Sequence, residues 1–267
     1  MLTRIGRAIR VCAAGFLLLF SGAAAGAHDL NFDYLIGSTE VRVRVYSKGH
    51  GQTYFAPHYS ETTAVAAAMS IINAKDGGGT LVQIIHGTGH PRNVTFTLKG
   101  VTYSFDPNRM FTDAGIQKSL EFVGHRYSKE AHSAVASFAW VVREHLNMAK
   151  VPGGTMIAIH NNSGGYSLDS YLPGEFFGKE APKINRNPAR SPSDFYFVTT
   201  EALYETLRAK KYNVALQNTA AMTDDGSLSV YCAQHGVPYV NIEARQGHFK
   251  EQVDMLLALR PLVAAEK

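Results

Sequence analysis

Short β-branched and aromatic runs alternate with helix-length amphipathic stretches along most of this chain, and that alternation restricts the fold more than any other feature. Strands are expected at residues 41–46 and 54–56. Residues 61–74, rich in Ala, Met and Ile, read as a helix that stops at Asp76-Gly77-Gly78-Gly79. A buried strand at 81–86 follows, then a hairpin whose arms, 94–98 and 101–105, flank Lys99-Gly100. Ser128 is placed to cap a helix running to about Met148, with Val135, Phe138, Val142 and Leu146 on one face. Further strands at 156–159, 195–198, 213–216 and 239–242 are interleaved with helices at 201–210 and 250–259. This order predicts a single α/β domain with a central mixed, mostly parallel sheet flanked by helices. In such sheets the chemistry collects at strand ends and in the loops beyond them.

The first 27 residues stand apart. Arg4, Arg7 and Arg10 precede an apolar run over residues 11–20, and Ala25-Gly26-Ala27 supplies the small residues of a secretory cleavage site. A membrane-spanning helix needs about 20 apolar residues, roughly twice this run. The expected organisation is therefore a cleaved signal, residues 1–27, and one domain, residues 28–267, periplasmic or secreted, with no stable membrane insertion after cleavage. The formal charge of +4 belongs mostly to that segment: three of the 26 Lys+Arg lie in it and none of the 22 acids, which leaves +1 for the rest. Charge thus gives no support to a nucleic-acid partner. Cys12 lies in the signal, so Cys232 has no internal disulfide partner and reads as a small buried apolar residue. With 45% hydrophobic and 18% charged residues, the chain is neither disordered nor low in complexity.

Several common sites are absent. The sequence has no Gly-x-x-x-x-Gly-Lys-Ser/Thr phosphate loop and no Gly-x-Ser-x-Gly nucleophile elbow, and Gly87-Thr88-Gly89 lacks the third glycine of a dinucleotide fingerprint. The remaining polar groups fall at element boundaries. His58-Tyr59-Ser60-Glu61 lies between a strand and a helix, so its imidazole and carboxylate can turn toward one point. His160 ends a strand and precedes Asn161-Asn162-Ser163-Gly164-Gly165, a loop with room for a ligand. Two histidines and a carboxylate with a fourth position open form the donor set of many catalytic zinc sites. A surface histidine with a first-turn Glu at a helix dipole produces the same spacing, so both readings stand on the pattern alone.

Phe105-Asp106-Pro107-Asn108-Arg109-Met110-Phe111 adds a third motif. The ordered set resembles the zinc carboxypeptidase family, whose signature runs His-x-x-Glu, Asp-x-Asn-Arg-Asn-Phe, His and then a catalytic Glu, and the resemblance spans about residues 54–248. It implies that His58, Glu61 and His160 bind one Zn²⁺. Asn108 and Arg109 match the pair that grips a substrate's terminal carboxylate, a task suited to a guanidinium fork. Arg92 matches the oxyanion-stabilising arginine, and Glu243, at the end of an alternating strand, the general base. Gly226-Ser227-Leu228, Gly236-Val237 and Tyr239 also look familial, while His86 and His248 are spare imidazoles. Three departures stand out: Met110 replaces the usual Asn, Tyr59-Ser60 lacks the usual arginine, and residues 218–225 contain no substrate-covering tyrosine. Tyr166, Tyr171 and Tyr231 are the candidates to stand in for it.

The expectation that follows is a zinc-dependent hydrolase of a peptide or amide bond beside a free carboxylate, with cell-wall stem peptides as a plausible substrate for an exported enzyme. Its partner would be a peptide or small N-acyl compound carrying a carboxylate. Two other readings are a deacylase of N-acyl amino acids, similar to aspartoacylase, and an exported non-catalytic binding module with a carboxypeptidase-like fold.

Overall fold

A computed structural model of the protein describes residues 26–147 and 154–263. The expected signal lies almost wholly outside these residues, as does the end of the helix expected to reach Met148. No helix among the described residues is long and apolar enough to cross a membrane.

In chain order the strands are β1 (His28–Ile36), β2 (Thr39–Lys48), β3 (Thr53–Ala56), β4 (Gly79–His86), β5 (Val94–Leu98), β6 (Val101–Phe105), β7 (Met156–Asn162), β8 (Lys183–Asn185), β9 (Phe195–Val198), β10 (Val214–Leu216) and β11 (Tyr239–Arg245). The helices are α1 (Thr62–Asn73), α2 (Asp113–Phe122), α3 (Lys129–His145), α4 (Glu201–Ala209), α5 (Leu228–Gln234) and α6 (Phe249–Leu259). Nine strands form one mixed sheet in the order β1-β2-β4-β3-β7-β11-β9-β10-β8, and β5 and β6 form a separate hairpin. The central block β4-β3-β7-β11 is parallel throughout, and antiparallel pairs stand on either side of it. The carboxyl ends of those four strands therefore lie at one end of the sheet.

Alternation along the central strands divides the apolar residues into two layers. Phe55, Val82, Ile84, Met156, Ala158 and Tyr239 face a first core closed by α2, α3, α5 and the β5–β6 hairpin. Tyr54, Leu81, Ile157, Ile159, Val240 and Ile242 face a second core closed by α1, α4 and α6. Each fully buried Ile or Phe contributes about 1.5–3 kcal/mol, so a sheet covered on both faces needs no disulfide, and Cys232 is buried and free. Ser128 caps α3 as expected, its hydroxyl accepting from the Ala131 amide at 3.1 Å.

Four elements go beyond the sequence reading: β1, β8, α2 and α5. In α2 the reason is Gly115, a poor helix residue in the first turn. It is there because the helix lies against the turn at Gly226: a Cβ on Gly115 would stand 2.0 Å from the Gly226 Cα. Gly226 itself has φ +78°, which favours glycine. Gly115→Ala is thus expected to lower stability by about 2–3 kcal/mol through overpacking against backbone. Urea unfolding would read this as a lower midpoint, and an unchanged midpoint would refute the contact's rigidity.

Candidate active site

The apolar rows of the first core end in polar residues at the carboxyl end of the sheet. On β7 the row Met156, Ala158 continues to His160, and on β11 the row Tyr239, Asn241 continues to Glu243. Main-chain pairing puts Glu243 directly beside His160. From the end of β3 the chain passes through Pro57 to His58 and enters α1 at Glu61, the N-cap residue, whose side chain makes no capping hydrogen bond. Its carboxylate is therefore free to turn inward, and the surface reading of this motif does not apply: His58 is 0% and Glu61 3% exposed.

His58 Nδ1 lies 2.8 Å from Glu61 Oε1, and His160 Nδ1 lies 3.0 Å from Glu61 Oε2. One donor atom from each of His58, Glu61 and His160 falls within 4.8 Å of the other two, so these residues could hold a metal ion. Glu61 Oε2 is buried, and its 3.0 Å contact with His160 Nδ1 falls short of hydrogen-bond geometry, so a cation would satisfy this anionic oxygen better. The donor set and this oxygen both fit a metal.

A residue the sequence reading placed in a motif without a role of its own completes the arrangement. Asp106 Oδ1 lies 2.7 Å from His58 Nε2 and accepts the Asn108 amide, also at 2.7 Å. The buried side chains Val94, Phe96 and Phe105 anchor the β5–β6 hairpin that delivers it. A carboxylate behind a ligating imidazole fixes the ring's orientation and raises its basicity. Met110, where the resemblance expects Asn, is fully buried in the first core, so that departure is a packing choice.

Electrostatics follow from these contacts. Burial disfavours the charged form of His58, but the carboxylates of Glu61 and Asp106 outweigh it and raise the imidazole to about 9. Burial likewise works against ionised Glu61, yet His58 and His160 hold it well below the usual carboxylate range. Asp106 is lowered in the same way, with His58 foremost among the causes opposing its burial. Glu243 moves in the opposite direction. Burial raises it and the charge of Glu61 adds to the rise, while His160 and hydrogen bonds from Asn241 (3.1 Å) and Asn162 (3.3 Å) act against it.

The far side of β7 secures the site. Asn161 accepts the Ala64 amide at the start of α1 and donates to Gln252 of α6, which also donates to the His160 carbonyl. Sequence reasoning missed this brace because its members are far apart in the chain.

Arg92 is half exposed, with Nη1 2.7 Å from Glu61 Oε1 and Nη2 3.7 Å from Asp106. Asn108 accepts the Leu228 amide and its Nδ2 lies 3.5 Å from His160 Nε2. Arg109 donates to the Asn108 carbonyl at 2.9 Å, and its Nε lies 3.3 Å from Asp225. Arg92, Asp106, Arg109 and Asp225, with Phe122 of α2, line a cavity of about 410 Å³ beside the cluster. Of the three tyrosines, Tyr166 and Tyr171 share a 2.6 Å hydroxyl contact and lie within electrostatic reach of Glu243 and Arg109, while Tyr231 packs on Phe111 and His235. His86 is buried near Tyr59, and His248 pairs with Asp194.

No protein-family model matches the chain, and none of the curated proteins matches it. Among solved structures it is similar to a candidate metallopeptidase from Shewanella baltica, with a TM-score of 0.42 and 12% identity over 88% of this chain and 87% of that one. Two further candidate metallopeptidases, from Shewanella amazonensis and Shewanella denitrificans, give TM-scores of 0.36 and 0.38 at 10% and 12% identity. They cover 87% and 85% of this chain, and 87% and 80% of their own. At this level of likeness the functional reading rests on the residues of this chain.

Proposed function

We propose that the protein is a zinc-dependent hydrolase that cleaves a peptide or amide bond beside a free carboxylate, in the manner of a carboxypeptidase. The observation that carries this reading is the meeting of a buried His58-Glu61-His160 donor set with a second buried carboxyl, Glu243, at the end of the parallel strands. Two imidazole nitrogens and one carboxylate oxygen suit zinc. When bound, such a metal supplies Lewis-acid polarisation of a carbonyl and brings the pKa of water toward neutrality.

The chain's own residues do the rest. Glu243 takes the proton of the attacking water and returns it to the leaving nitrogen, and its raised pKa brings it closer to neutral pH, where a base works best. Arg92 donates to the developing oxyanion, and Arg109 with Asn108 holds the substrate's carboxylate. Asp106 keeps His58 oriented. The signal pattern of residues 1–27 supports export to the periplasm, where cell-wall stem peptides offer amide bonds beside free carboxylates.

The test is mass spectrometry of a peptide panel and its C-terminally amidated twins, with metal content measured on the same preparation. Cleavage of the free-carboxylate members and sparing of the twins is expected. Arg109→Met should raise KM about 10²-fold with a smaller change in kcat, since it removes charge-assisted binding. Deacylation of N-acyl amino acids without peptide cleavage would assign the aspartoacylase-like activity instead. Metal-free protein that cleaves neither class would be a binding module.

A further inference from the structure

A second cavity, of about 530 Å³, opens between the loop over residues 187–194, the turn joining α4 to β10, and the start of α6. Asp194 forms its floor and is buried. One of its oxygens accepts the Arg245 amide at 3.0 Å, and both lie 3.0 Å from His248 Nδ1. In a neutral ring this fixes the proton on Nδ1 and leaves Nε2, which has no hydrogen-bond partner among the described residues, open to a ligand. Asn162 links the cavity's loop to the candidate active site, donating to the Ser193 carbonyl at 2.8 Å and to Glu243 at 3.3 Å.

Three cations line the cavity. Arg190 is fixed, with its guanidinium 4.0 Å over the Tyr212 ring and 3.3 Å from Asp254. The ammonium groups of Lys210 and Lys211 have no ion-pair or hydrogen-bond partner among the described residues. Lys211 has φ +62°, a left-handed conformation that costs a non-glycine residue about 1–2 kcal/mol. It is held there by hydrogen bonds to its carbonyl from Asn187 (2.6 Å) and Arg190 (3.2 Å). The acids lining the cavity are Asp194, already paired with His248, and Glu251.

We infer that this cavity binds a phosphate group, whether free phosphate or a phosphomonoester. Lys210 and Lys211 match its charge, and His248, backed by Asp194, meets one of its oxygens. A phosphomonoester loses its second proton near pH 6, so close to neutrality its terminal oxygens carry nearly two negative charges, which the two ammonium groups can share. A carboxylate, with one charge and two oxygens, would leave part of this cationic set unused.

Calorimetric titration of the full chain with inorganic phosphate tests the inference, with acetate at matched ionic strength as the comparison. Saturable one-site binding is expected, weakened at least about tenfold in a Lys210→Ala/Lys211→Ala double variant and also weakened in His248→Gln. Circular dichroism should show both variants folded as the parent is. Phenyl phosphate binding as tightly as inorganic phosphate identifies a phosphomonoester, whereas binding of inorganic phosphate alone identifies the free ion. Absence of saturation, an equal response to acetate, or binding that persists in the double variant but is lost in Arg109→Met would overturn the assignment.

Discussion

Glu243→Gln is expected to reduce hydrolysis by about 10²–10⁴-fold while the metal stays bound, the loss typical of removing a general base. The substitution keeps the side chain's length and shape among Asn241 and Asn162, so the fold should survive it. Glu243 also lies outside the donor set, so metal content should remain that of the parent. The direction of its pKa adds a signature. Because burial raises the carboxyl, the base becomes protonated as pH falls through a value above the ordinary Glu range, and the acidic limb of kcat/KM should lie correspondingly high. Activity retained in Glu243→Gln would remove this residue from the mechanism, and lost metal would move it into the donor set.

The second large effect concerns the metal itself. His58→Ala and His160→Ala should each lower bound zinc from one equivalent to a small fraction after dialysis, because two protein donors hold zinc far more weakly than three. Asp106→Asn tests the layer behind them. It leaves all three donors in place but removes the charge behind His58, and a 10- to 100-fold loss of metal affinity is expected, roughly the usual cost of an outer partner. Metal analysis after equilibrium dialysis against a chelator would read both. Stoichiometric zinc in both histidine variants would refute the donor assignment whatever the activity shows.

Much of the fold could be read from local pattern, because the central strands alternate cleanly and the long helices carry one apolar face. The expected bounds of β2, β3, β4 and α1 lie within two residues of those observed. Elements whose residues answer to distant partners were harder to read. Residues 113–122 carry a glycine required by the turn at Gly226, and β8 has three residues and exists by pairing with β10. β1 is exposed along most of its length, yet Leu30, Phe32, Tyr34 and Ile36 alternate with Asp29, Asn31 and Asp33, a local strand pattern that the sequence reading did not use.

The candidate site divides in the same way. His58 and Glu61 stood out between a recognisable strand and a helix, and His160 and Glu243 toward the carboxyl ends of alternating strands. The partners that set their behaviour did not. Asp106 reaches His58 across 48 positions, and Arg109 pairs with Asp225, where nearby Asp106 and Asp113 were the acids a local reading would choose. Asp113 instead lies 3.2 Å from His132.

The pairing of Glu243 with His160 also says where the chain can tolerate insertions and deletions. Losing one residue from β7 or β11 would turn one of these side chains to the opposite face and abolish the arrangement outright. The long connection between β7 and β9 is restrained in part, since β8 pairs with β10 and Tyr171 packs on Phe195 and Phe197, but its exposed stretch over residues 172–176 lies outside the sheet. Changes of length there could alter which molecules reach the centre without touching the groups that would act on them. Over evolutionary time, selectivity in a protein built this way is free to drift while its chemistry stays put.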